Sequence, residues 1–99
     1  MKPNDDATHR PAVYNLEMRD HLYKLFKKME KKERQKLEII NKKVKEILED
    51  PHRYKPMKAP MQHMYRVHIG GSFVLIFSIN KKTNSVILEE FAHHDEAYR

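Results

Sequence analysis

The sequence predicts an α+β domain of order β-α-α-β-β-β, with a helical hairpin packed on one face of a small, mostly antiparallel four-stranded sheet. Two observations carry this. Apolar residues recur at helical spacing between Leu22 and Leu48, then alternate with polar ones from Tyr65 onward. Gly70 and Gly71, the only two glycines in the chain, stand between two such late runs, where a tight hairpin turn requires them. Ninety-nine residues suffice for one modest core. We assign it to residues 11–99 and read the polar segment 1–10 as disordered.

The elements follow in order. Ala12 to Met18 alternates, with Tyr14, Leu16 and Met18 on one side, as a half-buried strand does. Asp20 can cap a first helix, in which Leu22, Leu25, Phe26 and Met29 form one stripe. Leu37, Ile40, Val44, Ile47 and Leu48 form the stripe of a second, which Asp50-Pro51 ends because proline disfavours helical geometry in the residue before it. The break between the helices is placed near Lys31-Lys32. One continuous helix is the alternative, since neither glycine nor proline interrupts the run. Residues 51–63 hold Pro51, Pro56 and Pro60 without a period and read as a surface loop. Strands follow at Tyr65–Ile69, Phe73–Ile79 and Val86–Phe91, the middle one apolar on both faces and therefore central.

Charge is distributed unevenly. No acidic residue occurs from Pro51 to Leu88, where composition alone would place about five. Net charge is +3 over residues 1–50, +6 over 51–88 and −3 over 89–99. A small basic domain of this kind suits a polyanion, nucleic acid first and an acidic protein second. The absence of cysteine excludes disulfides and thiolate metal sites and fits a reducing cytosol. No apolar run reaches membrane-spanning length, and a cytoplasmic location is expected.

Strand parity selects the candidate site. If Tyr65, Val67 and Ile69 face the helices, Arg66 and His68 face the open side, on an apolar floor that includes Val74 and Ile76. By residue type these are most simply solvated strand residues. His93-His94 follows the last strand. Adjacent strand residues point to opposite faces, and no metal-binding spacing such as H-E-x-x-H is present, so a metal site is not expected. One of the two histidines can instead act as general acid or base near neutral pH. Lys55 and Lys58 read as solvated loop charges or phosphate contacts.

Four phrases then carry a resemblance. They are Ile47 to Pro56 (ILEDPHRYKP), Tyr65 to Gly70 (YRVHIG), Phe73 to Phe77 (FVLIF) and Phe91 to Tyr98 (FAHHDEAY). In this order and spacing, over residues 12–99, the chain resembles the RelE branch of the RelE/ParE toxin superfamily. The resemblance implies a toxin of a type II toxin–antitoxin pair. Its activity would be that of a metal-independent endoribonuclease without cofactor, cutting mRNA in the ribosomal A site, with a RelB-like antitoxin as partner. It implies catalytic roles for Arg66, His68, His94 and Tyr98, beside which the loop residues Lys55 and Lys58 are the expected RNA contacts. Val74 stands where RelE itself carries an arginine. A ParE-like gyrase poison and a non-catalytic RNA- or protein-binding module are the competing readings.

Overall fold

The computed structural model describes residues 13–94; segment 1–10, read above as disordered, lies outside them. The elements are β1 (Asn15–Met18), α1 (Asp20–Lys32), α2 (Arg34–Glu49), a short 3-10 turn (Pro51–Arg53), β2 (Met64–Ile69), β3 (Phe73–Asn80) and β4 (Ser85–His93). They form one four-stranded sheet in the order β1-β4-β3-β2. β1 runs parallel to β4, and the other two pairings are antiparallel. The α+β prediction and the element order hold.

The topology puts both helices on one face. The chain leaves the sheet at one edge, β1, and re-enters it at the other, β2, so the hairpin between them must cross the sheet. Leu22 and Met29 of α1 and Ile40, Val44 and Ile47 of α2 are buried against it. The helices part at Glu33, whose backbone (φ −138°, ψ 55°) leaves helical geometry. This excludes the single continuous helix, whose two stripes could not reach the same sheet face. Asp20 does not cap α1. It is the first helical residue, Arg19 occupies the cap position, and no side chain there bonds the helix end. α2 stops at Asp50, whose backbone (φ −159°, ψ 73°) leaves helical geometry before the buried Pro51, since a proline ring disfavours the helical region in the residue before it.

Val67, Ile69, Leu75, Phe77, Val86, Leu88 and Phe91 supply the sheet side of the core. Phe77 is its centre. It is fully buried, stacked on Tyr65 at 5.2 Å between centroids and met edge-on by Tyr54 at 5.8 Å. Burial of such a ring contributes roughly 1.5–3 kcal/mol. Two turns close the meander. Gly70 adopts the left-handed conformation (φ 63°) between β2 and β3. Asn80 Oδ1 accepts the backbone N–H groups of Lys82 and Thr83 between β3 and β4.

β4 is longer than its apolar residues indicated and is irregular. Its register with β3 shifts between Ile76 and Phe77: Phe77 pairs with Leu88, whereas Ile76 pairs with Glu90. Glu89 and Glu90 thus oppose a single step of β3, a β-bulge. Its effect on parity is large. Before it, Val86 and Leu88 face the helices; after it, Phe91 does. Ala92 and His94 are thereby turned to the opposite, open face. No helix among the described residues is long and apolar enough to cross a membrane.

Candidate functional site

The open face is built from three cross-strand rows. His68, Val74 and Ala92 lie side by side in one; Arg66, Ile76 and Glu90 in the next; Met64, Ser78 and Ile87 in the third. Val74 and Ile76 are buried although they point away from the helices, whereas His68 is exposed and Arg66 half-buried. The sheet therefore presents an apolar floor with polar groups standing at its edges.

The first row carries the densest chemistry. The rings of His68 and His94 stack with centroids 5.6 Å apart and planes 19° from parallel. They come from opposite sides of β3, since His68 is on β2 and His94 follows β4. Strands two positions apart in a sheet are separated by about 9.5 Å, so both rings lean inward over β3. The backbone N–H of His94 donates to the Ser72 carbonyl at 2.7 Å, which ties the end of β4 to the start of β3. The same backbone sends His93 to the other face, where it meets Phe73 edge-on at 5.6 Å. Arg66 stands two residues from His68 on the same strand and face. Two imidazoles, each able to accept or donate a proton, and a guanidinium able to grip two oxygens of one anion are thus gathered in one patch.

Lys55 and Lys58 are not in this patch. Both are exposed, in a loop that joins the outer edge of β2 through the Pro56–Tyr65 bridge and a 2.7 Å bond from Met57 N–H to the Met64 carbonyl. That is the end of β2 away from His68, about 10 Å along the strand. Tyr98 lies outside the described residues. Among the described residues, no group of three or more His, Cys, Asp or Glu side chains is placed to hold a metal ion.

A second polar cluster at the far end of the face was not foreseen. Arg19 grips Glu89 with two bonds, Nε to Oε1 at 2.9 Å and Nη2 to Oε2 at 3.1 Å. The Ser78 hydroxyl also donates to Oε2, at 2.6 Å. Burial by itself would push the Glu89 carboxyl up. The bonds from Arg19 and Ser78, with the charges of Arg19 and His63, outweigh it and hold the carboxyl below the ordinary value of 4.5. The carboxylate raises the Arg19 guanidinium in turn. Glu90 reaches the other way, to His21 at the start of α1 (3.0 Å). One signal could have located the bulge. Val86 and Leu88 share one parity and Phe91 has the other, so all three can face a single core only if β4 slips by a residue.

Comparison with known proteins agrees with this architecture. Residues 13–98 match the family model of the ParE toxin of the type II toxin–antitoxin system, parDE. An uncharacterized protein of Methanosarcina mazei is 52% identical over 86 residues, spanning 87% of this chain and all of its own length. A Methanocaldococcus jannaschii protein named "Putative toxin RelE4" is 39% identical over 87 residues, spanning 88% of this chain and 93% of its own. Among solved structures, a chain of the RelBE2 toxin–antitoxin complex of Mycobacterium tuberculosis superposes with a TM-score of 0.69 at 14% identity, covering 86% of this chain and 95% of that one. A mutant of the E. coli toxin RelE in the free state gives 0.68 at 19% identity, covering 88% and 90%. These two share the fold, two helices on a four-stranded mixed sheet. With a family model spanning nearly the whole described chain and a named toxin among its relatives, the chain belongs to the RelE/ParE superfamily of type II toxin–antitoxin toxins.

Proposed function

We propose that this toxin is an endoribonuclease that cuts mRNA in the ribosomal A site by attack of the RNA's own 2′-hydroxyl. The observation that carries the reading is the His68–His94 stack beside Arg66 on an open sheet face. RNA holds its own nucleophile, so the protein has three tasks and needs no metal for any of them. One imidazole takes the 2′-hydroxyl proton as the oxygen attacks phosphorus. The Arg66 guanidinium, always protonated, stabilises the charge that builds on the phosphorane oxygens. The other imidazole delivers a proton to the departing 5′-oxygen. The P–O5′ bond breaks as the P–O2′ bond forms, leaving a 2′,3′-cyclic phosphate and a 5′-hydroxyl. Tyr98 would stack on a base or orient the hydroxyl. Lys55 and Lys58 would contact the incoming strand from the β2 edge.

The basic segment 51–88 supports an acidic antitoxin as the inhibitory partner in the cytoplasm. Solved structures of the same fold include the RelBE2 toxin–antitoxin complex of Mycobacterium tuberculosis and the RelE–RelB complex of Pyrococcus horikoshii. A gyrase-poisoning or purely binding role is favoured by two facts. The matching family model describes ParE, and Val74 is a buried apolar residue where RelE carries an arginine. Parallel assays separate the readings. RNA cleavage that disappears in His68→Ala or Arg66→Ala supports the nuclease; gyrase-dependent DNA breaks with intact RNA support the ParE-like role.

A further inference from the structure

Away from the histidines, the open face continues into a groove of about 550 Å³. Its floor includes Met64 and Ile87, members of one cross-strand row with Ser78 between them. Lys81 and Lys82, on the exposed turn between β3 and β4, rim it, and His63 stands at its β2 side. Among the described residues neither lysine forms an ion pair. The one carboxylate lining the groove, Glu89, is already matched by Arg19 and Ser78. Arg19 uses only two N–H groups on it, so most of the guanidinium's donors remain, fixed in direction by the two-pronged bond. The walls therefore carry uncompensated positive charge beside apolar surface, the combination that suits a phosphate with its base.

Position connects the groove to the site. Ser78 is four residues from Val74 along β3, as Met64 is from His68 along β2, or about 13 Å. Both lie on the same face, so a nucleic-acid strand running along β2 and β3 passes over both. We infer that this groove is a second RNA-holding subsite. It takes a nucleotide remote from the scissile bond, with the phosphate on Lys81 and Lys82 and the base against Met64 and Ile87. It accounts for two basic residues of the acid-free segment that cleavage chemistry does not use. The inference rests on the reading that RNA is the substrate.

The test measures binding rather than cutting, with 2′-O-methyl RNA, which has no nucleophile. A dinucleotide and an octanucleotide are titrated onto the full chain by fluorescence anisotropy over a range of salt. Replacing both lysines (Lys81→Ala with Lys82→Ala) should weaken the octanucleotide by about ten-fold at low salt. It should also lower the slope of log K against log salt by about 0.7 for each phosphate no longer neutralised, and leave the dinucleotide unchanged. Removing two exposed lysines from α2 (Lys42→Ala with Lys45→Ala) should change neither. Equal octanucleotide affinity in the turn variant, or an equal loss in the α2 variant, overturns the subsite while leaving RNA as substrate. Failure of the native protein to bind either oligonucleotide overturns both.

Discussion

His68 and His94 lie 26 positions apart in sequence, yet their rings stack at 5.6 Å across the strand that carries Val74. The contact depends on the β4 bulge. Without that extra residue, His94 would share the parity of Val86 and Leu88 and face the helices. If the two rings divide the proton transfers, the cleavage rate should rise and fall with pH in a bell, because one ring must be neutral while the other is protonated. His68→Ala and His94→Ala should each lower the rate by about 10²–10⁴-fold and each remove a different limb of the bell, which assigns base and acid. The double variant should be little worse than either single one, because the pair acts as a unit. Single-turnover cleavage across pH checks all three. A profile unchanged in both variants contradicts the assignment.

The Arg19–Glu89–Ser78 cluster fixes the edge strand and α1 to the bulge, and it should leave a mark in acid. The Glu89 carboxyl sits below its ordinary value in the folded protein. Its contribution to stability is therefore complete above the unfolded value, near 4.5, and is lost as pH falls through the lower folded value. Glu89→Gln should make the protein less stable at neutral pH, with the difference from the native chain shrinking as pH drops below the ordinary carboxylate range. Urea melts at several pH values measure it. A difference that grows toward acid would contradict the direction of the shift.

The two glycines should respond differently to a methyl group. A Cβ at either would meet nothing within 4 Å, so space does not distinguish them. Backbone does, since only Gly70 has a positive φ (63°). Gly70→Ala should cost on the order of 1–2 kcal/mol, and Gly71→Ala should be close to neutral or slightly stabilising. Chemical denaturation of both variants tests the pair together.

Phe77 anchors the sheet to the loop that carries Lys55 and Lys58, through its contacts with Tyr54 and Tyr65. Phe77→Ala should cost about 3–5 kcal/mol. Hydrogen exchange should show weaker protection along β2 and the 54–57 segment as well as in β3.

Much of this was legible in the sequence because burial obeys period. Alternation over Tyr65–Ile69 put Arg66 and His68 on one face. Apolar residues at helical spacing gave both helices, and the glycine pair gave the first hairpin. The break at Glu33 was harder to locate, because it is imposed by two stripes sharing one sheet face and has no glycine or proline to mark it. The stack of His68 on His94 could not be read from either residue. It requires β4 to lie beside β3 in a register that pairs Ala92 with Val74, and a bulge to reverse parity on the way. The Arg19–Glu89 pair was hidden for the same reason: its partners are 70 positions apart and meet only because β1 lies alongside β4.

The most direct test of the central claim is to add the protein to translating ribosomes and map the ends of the mRNA. The expected result is cutting within A-site codons, leaving 5′-hydroxyl and 2′,3′-cyclic phosphate ends, and abolished in His68→Ala and His94→Ala proteins that remain folded. Cleavage that survives both substitutions, or intact mRNA accompanied by gyrase-dependent DNA breaks, would contradict it.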